Sequence, residues 1–309
     1  MQKRERFKLA SRGEKVDQAP VGAWIHYGSA LWDPQLTAQV HRLFCENYDW
    51  DFLKVMNDYR FPTLNNFLDP TTPKDLLAIG HEDADYSNFE FQREVLKDLH
   101  VSLPSVPLIE TIFSPASTVV RTLGDRSPTL FQEDREIAKR VMQQVADQLI
   151  RYLSSVDEFI DGVYFAVNGA SHDRHGWGTG RSEFADLIAP FDKQVLEALD
   201  GKIKVVHVHG YDLDIARVAD YPIDILSWSH NQTSPTLEEV ASAGDWVPMG
   251  GLDEVESVYW APNKIYEHVM HNRRRASNKL IVAPGCTLPA DIPPSVLRAL
   301  VKAAREPLA

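Results

Sequence analysis

The sequence predicts an α/β protein built as one (β/α)8 barrel, and three observations predict it. Strand-like and helix-like runs alternate along nearly all of its 309 residues. Several strand-like runs are continuously apolar, as in Val163-Tyr164-Phe165-Ala166-Val167. Such runs suit parallel strands covered on both faces. The later strands recur at the length of one strand, one helix and two short loops.

In chain order the predicted strands are Pro20–Tyr27, Phe52–Asp58, Val106–Phe113, Gly162–Asn168, Ile203–His209, Ile223–Ser229, Trp246–Leu252 and Leu280–Ala283. Between them, Asp134–Val156 carries Ile137, Val141, Val145, Leu149 and Leu153 at steps of four, an amphipathic helix. Leu237–Ala243 and Asn263–Ser277 read the same way. Val40–Cys45 is helical and buries Cys45 as a small hydrophobe. Pro293–Val301 is a closing helix started by proline. The stretch 59–105 holds Pro62, Pro70, Pro73 and the acidic run Glu82–Asp85. It reads as an elaborated loop with short helices, so residues 1–309 are expected to form one domain.

The chain is 44% hydrophobic and 25% charged, ordinary values for a globular protein. A net charge of -12 argues against nucleic acid as a partner, because phosphate binding needs a basic field. The basic run Arg273-Arg274-Arg275 is expected to be a solvated helix end. Two cysteines, Cys45 and Cys286, suit a reducing cytoplasm and exclude a disulfide framework. The charged N-terminus leads into no apolar run long enough for a signal peptide or a membrane span.

In such a barrel the working residues gather at the C-terminal ends of the strands. Trp24, His26 and Tyr27 lie at that end of the first strand, Asp58 and Arg60 after the second, and Glu110 in the third. Asn168 ends the fourth, followed by a loop bearing His172, Asp173, Arg174, His175 and Trp177. His207 and His209, Trp228 and His230, Asp253, and Cys286 follow on the last four strands. Six of the 11 histidines therefore fall on one rim, which supports a metal or acid–base site.

His207 and His209 are two apart in a strand and project to one face. With Cys286 they offer two nitrogens and one sulfur and leave a fourth position free, the arrangement of a catalytic zinc site. On spacing alone, ligation and simple packing both stay open. Asp58 is a loop cap or an active-site acid. Glu110 lies in an apolar run and needs a partner, whether Arg, His or metal, because an unpaired buried carboxylate is costly. Gly176, Gly178 and Gly180 lack the Lys-Ser/Thr tail of a phosphate loop.

Four segments, Ala10–Val21, Phe113–Ser117, Met249–Asp253 and Pro284–Pro293, together resemble the uroporphyrinogen decarboxylase superfamily, and the likeness spreads over nearly the whole chain. The resemblance implies a (β/α)8 barrel. True decarboxylases of that superfamily carry arginines after strand one, an Asp after strand two, a Tyr after strand three and a His in the last Gly-rich turn. Asp58 falls at the Asp position. Trp24-Ile25-His26-Tyr27 stands where the arginines belong, Cys286 where the His belongs, and the Tyr is not evident. Tetrapyrrole decarboxylation is therefore disfavoured.

The other branch resembled comprises zinc-dependent methyltransferases similar to methylcobalamin:coenzyme M methyltransferase, with His-x-Cys on strand five and Cys on strand eight. His207 matches the first ligand and Cys286 the last, while His209 replaces the middle Cys. The resemblance implies Zn2+ on His207, His209 and Cys286, and a methyl group moving between a corrinoid or other donor and a thiol acceptor. From their place at the predicted strand ends, Asp58, Glu110 and His26 are expected in catalysis and Trp24, Tyr27, Asn168, Trp177, Trp228 and His230 around the substrate. A small-molecule substrate, a corrinoid protein and a second copy in a homodimer are the partners the resemblance suggests. Two rival expectations remain. One is a metal-independent decarboxylase or lyase with Asp58 as anchor and His26, His207 or Cys286 as proton donor. The other is a protein that holds a corrinoid or tetrapyrrole-like ligand without chemistry.

Overall fold

Among the described residues, seven parallel strands form one sheet in strict sequence order. They are β1 Leu53–Val55, β2 Leu108–Phe113, β3 Gly162–Val167, β4 Ile203–Val208, β5 Ile225–Trp228, β6 Val247–Leu252 and β7 Ile281–Pro284. The computed structural model describes residues 1–66, 69–124, 129, 132–172, 180–277 and 279–308. The helices are α1 Lys3–Ala10, α2 Pro34–Tyr48, α3 Ser87–Ser102, α4 Pro115–Leu123, α5 Arg135–Val156, α6 Arg181–Leu187, α7 Ala189–Glu197, α8 Leu237–Ala243, α9 Pro262–Arg275 and α10 Pro294–Arg305.

Alternation along the strands makes two cores. Ile109, Tyr164, Val205, Ile225, Met249 and Ile281 point to the inner side of the curved sheet, where α1 adds Phe7 and Ala10. Leu108, Val163, Phe165, Val206, Leu226 and Val282 point outward and pack under the helices. Both faces are thus buried, which is why the strands read as unbroken apolar runs.

The expected eight-stranded closed barrel is corrected to a seven-stranded, barrel-like sheet. Pro20–Tyr27, expected as the first strand, makes isolated parallel bridges from Val21 to Val282 and from Ile25 to Leu288. Asp51 N also donates to Val21 O at 2.8 Å. The segment lies along β7 but builds no ladder. Between its two bridges it advances from Val21 to Ile25, while its partner advances further, from Val282 to Leu288. The surplus of two residues is taken up at the bend Gly285-Cys286. Register is lost at the position of the candidate cysteine ligand.

The helices follow local chemistry. Asp134 caps α5 by accepting from Ile137 N at 3.0 Å. Thr236 and Glu239 form a capping box at the start of α8. The stretch 59–105 contains two short 3-10 helices and then α3, a full 16-residue helix rather than loop. Arg273 departs from the expected solvated run: it is 2% exposed and donates to Ala303 O at 2.5 Å and Glu306 O at 2.7 Å. It satisfies carbonyls at the end of α10 that have no intrahelical partner. No described helix is long and apolar enough to cross a membrane.

Candidate metal centre and adjoining cavities

His207 sits in β4 on the inner face, His209 follows it at the strand's end, and Cys286 comes from the bend after β7. Their donor atoms all lie within 4.8 Å of one another, with Cys286 Sγ 4.0 Å from His209 Nδ1. Donors around one tetrahedral zinc lie roughly 3.5 Å apart, so the three need only a small contraction to share an ion.

The surroundings fix the ring of His207. Its Nδ1 is 3.2 Å from Ser227 Oγ, and Ser227 Oγ is also 3.2 Å from the Tyr164 hydroxyl. The Tyr164 ring stacks on the imidazole at 5.3 Å and 24°. With Nδ1–H donating to Ser227, Nε2 is left as the lone-pair nitrogen, and it is buried with no hydrogen-bond partner. An orphaned buried nitrogen is costly unless something binds it. Burial holds the His207 pKa well below the usual value, so the ring stays neutral and able to ligate. Burial raises the Cys286 thiol pKa, so without a metal it is protonated at neutral pH. This donor set, two imidazoles and one ionisable thiol, fits zinc.

His209 and Cys286 line a cavity of about 710 Å³ together with His26, Ser229, Glu254 and Tyr259. A Cβ on Gly285 would meet Glu254 Oε2 at 2.5 Å, so glycine is what lets the turn approach that carboxylate. His26 Nδ1 lies 2.6 Å from Asp58 Oδ1. Asp58 Oδ2 accepts from Tyr27 N, Ser29 N and Ser29 Oγ at 3.1 to 3.2 Å. Burial works to raise the Asp58 pKa, but the bonds from His26 and Ser29 outweigh it and hold the carboxyl well below the usual range. Asp58 is therefore both loop cap and anchor for His26. It also lines a second cavity of about 560 Å³ with Asn57, Tyr59, Arg60, Phe113 and Arg121.

Other expected residues lie elsewhere. Glu110 faces outward and is fully buried, accepting from Tyr152 Oη at 2.7 Å and Gln92 Nε2 at 3.0 Å. Its partners are two helix side chains, not Arg, His or metal, and burial lifts its pKa to about 8. Trp228 also faces the helices and donates to Pro235 O at 2.8 Å. Tyr27 packs on His41 and Phe44 of α2. His230 Nε2 accepts from Gly251 N at 3.2 Å, between β5 and β6. Asn168 N donates to Ser117 Oγ at 2.6 Å. Trp24 is inside the sheet, edge-on to Tyr164 at 5.3 Å. His172 lies 3.7 Å from Asp214. Asp173, Arg174, His175 and Trp177 fall outside the described residues.

Sequence reasoning passed over Lys54. Its ammonium is 4% exposed, 4.4 Å from the Tyr164 ring centroid and 5.3 Å from that of Trp24. It donates to Met56 Sδ at 3.1 Å. Burial lowers its pKa to about 7, against the pull of Cys286, Glu110 and Asp58. A lone charge within the apolar run Phe52-Leu53-Lys54-Val55 was the signal. Glu254 and Arg121 carried no comparable mark.

Solved structures similar in fold include a methyltransferase from Methanosarcina mazei, at TM-score 0.80 and 16% identity, covering 98% of each chain. A B12-independent methionine synthase from Shewanella sp. W3-18-1 matches at TM-score 0.51 and 18% identity over 69% of this chain and 65% of that one. A xylanase from Paenibacillus barcinonensis matches at TM-score 0.50 and 10% identity over 94% and 96%, so likeness of fold at this level does not select a reaction. No curated protein sequence matches the chain. The uroporphyrinogen decarboxylase (URO-D) family model matches residues 55–307, most of the chain and both candidate ligand strands. The chain therefore belongs to the uroporphyrinogen decarboxylase family.

Proposed function

We propose that this protein is a zinc-dependent methyltransferase that moves a methyl group from a corrinoid or other donor to a thiol acceptor. The observation that carries it is the His207–His209–Cys286 cluster with the orphaned Nε2 of His207. Bound there, zinc would supply Lewis acidity and so keep an acceptor thiol in its nucleophilic thiolate form. Ser227 and Tyr164 hold the His207 ring in place. His26, held by Asp58, lines the same cavity and is placed to exchange a proton with the acceptor. Lys54, over the Tyr164 ring that stacks on His207, pulls the Cys286 pKa down against the larger effect of burial. Glu110 takes no part, because its carboxyl faces the helix layer.

The named methyltransferase and methionine synthase among the structural relatives support a methyl-transfer chemistry for this chain. The second is named as B12-independent, so the donor is not restricted to a corrinoid. Metal content of the purified protein, paired with methyl transfer to a small thiol before and after chelation, tests the proposal. Zinc near one equivalent, lost together with activity in His207→Ala, is the expected result. Absence of methyl transfer, with chelation-resistant release of CO2 from a carboxylated substrate, would instead favour a decarboxylase or lyase built on the His26–Asp58 pair.

A further inference from the structure

The cavity beside the metal cluster carries a charge that the cluster does not use. Glu254, just after β6, lines it together with His209 and Cys286. Among the described residues its carboxylate has no ion-pair partner, and its Oε2 is buried without a hydrogen bond. Asp253 Oδ1 accepts from Val255 N and Glu256 N at 2.9 Å, which fixes the turn that carries Glu254. On the other side, Gly285 leaves room for Oε2 where any Cβ would stand 2.5 Å from it. A buried carboxylate without a donor is costly, and a ligand that brings a donor removes the cost.

The rest of the lining says which donor fits. Among the described residues no Arg or Lys lines this cavity. Besides the candidate ligand His209, its one basic side chain is His26, already held by Asp58. Tyr211 and Tyr259 also line it and are 56% and 81% exposed. Tyrosine faces attract cations. A sulfonate or carboxylate head would find no lysine or arginine here and would be repelled by Glu254. A neutral head would leave the carboxylate unpaired, whereas an ammonium group would pair with it.

We propose that this cavity takes an ammonium group, so that the methyl acceptor is a small aliphatic aminothiol, with Glu254 as its charge partner and Tyr211 and Tyr259 as its aromatic walls. The thiol half of this statement rests on the transferase reading; the ammonium half rests on Glu254 and the tyrosines alone. The amine is a spectator in the reaction. The acceptor sulfur loses its proton and forms a bond to the methyl carbon, the donor keeps the electron pair of the bond that breaks, and the C–N bond is untouched.

Calorimetric titration of the full-length protein, before and after chelation, tests it with three thioethers: 2-(methylthio)ethylamine, 2-(methylthio)ethanol and 2-(methylthio)ethanesulfonate. Thioethers carry no thiol, so they read the ammonium subsite whether or not a metal is bound. The expected result is millimolar or tighter binding of the amine, about tenfold tighter than the alcohol, the worth of a charge-assisted hydrogen bond, with the sulfonate weakest. Glu254→Gln should bring the amine down to the level of the alcohol, and Glu254→Asp should keep part of the preference. Tyr259→Ser, at an exposed position that folding does not depend on, should weaken the amine alone and decides the matter if Glu254→Gln fails to fold. Three outcomes overturn the proposal: no binding of the amine in the millimolar range, alcohol or sulfonate binding as tightly as the amine, or an amine preference that survives both Glu254→Gln and Tyr259→Ser. An amine preference without methyl transfer to any thiol upholds the subsite and overturns the transferase reading. Transfer to 2-mercaptoethanesulfonate in preference to cysteamine does the reverse.

Discussion

His26 Nδ1 and Asp58 Oδ1 stand 2.6 Å apart, and the pair joins two cavities. His26 opens onto the one that holds His209 and Cys286, and Asp58 onto the one that holds Arg60 and Arg121. The imidazole is half exposed, whereas the carboxylate is 6% exposed. A fixed, ionised carboxylate behind a half-exposed imidazole orients the ring from its buried side.

Replacing Asp58 with alanine should therefore disturb both cavities and cost about 2 kcal/mol, since it removes hydrogen bonds to a charged group. The folded-state pKa of Asp58 is depressed, so its contribution is present above the unfolded carboxylate value and is lost as pH falls through the depressed one. Denaturant titrations should show the gap between wild type and Asp58→Ala holding at neutral pH and narrowing only below about pH 4. A gap independent of pH would assign the loss to packing alone.

Ser227→Ala should weaken zinc binding by about tenfold without touching a ligand atom, because Ser227 holds the ring of His207. His207→Ala and Cys286→Ser should lose more. Competition against a chromogenic chelator ranks the three. Equal zinc affinity in all of them would remove the cluster as a metal site.

Zinc uptake should release protons. Burial raises the Cys286 pKa, so the thiol is protonated at pH 7 and must ionise on ligation, whereas His207 is already neutral. Apparent affinity should then fall about tenfold per unit as pH drops below neutrality. Calorimetry in buffers of different ionisation enthalpy gives the proton count directly. A pH-independent affinity would exclude Cys286 as a ligand.

Lys54→Met should stabilise the metal-free protein at and below neutral pH by a few kcal/mol. The Lys54 pKa is lowered to about 7, so between that value and the unfolded one near 10.5 the unfolded chain binds the extra proton. Wild-type stability attributable to this group therefore rises with pH across that window, and the advantage of Met should shrink over it. Cys286, Glu110 and Asp58 favour the charged form, while Arg121 opposes it. If Lys54→Met instead lowers zinc affinity while raising stability, the lysine contributes to the site at the expense of stability.

Glu110→Gln should leave any methyl transfer unchanged, since Tyr152 and Gln92 enclose the carboxyl in the helix layer. The Glu110 pKa is raised to about 8, so its favourable state is complete below the unfolded value near 4.5 and is lost as pH rises toward 8. The variant should flatten that decline in a series of melts. A large loss of activity without loss of stability would return Glu110 to the catalytic list.

The parallel strands and helices such as Asp134–Val156 and Leu237–Ala243 were legible in the sequence, because periodicity and capping are local. So was the trio of His207, His209 and Cys286 as a candidate set, through the two-residue spacing on one strand. The failures share one cause. A strand buried on both faces is apolar throughout, so its sequence carries no alternation to say which residues point inward. Glu110 and Trp228 therefore passed for rim residues although they face the helices, and Lys54 was passed over although it faces the interior. The slip in pairing between Val21–Ile25 and Val282–Leu288 is a property of two segments far apart in the chain, and it is what turns Cys286 toward the histidines. The sequence by itself determined the order of elements and the chemistry on offer at their ends. The tertiary structure decided which faces those residues took and which of them met, because inside-or-outside parity and register exist only once the strands pair.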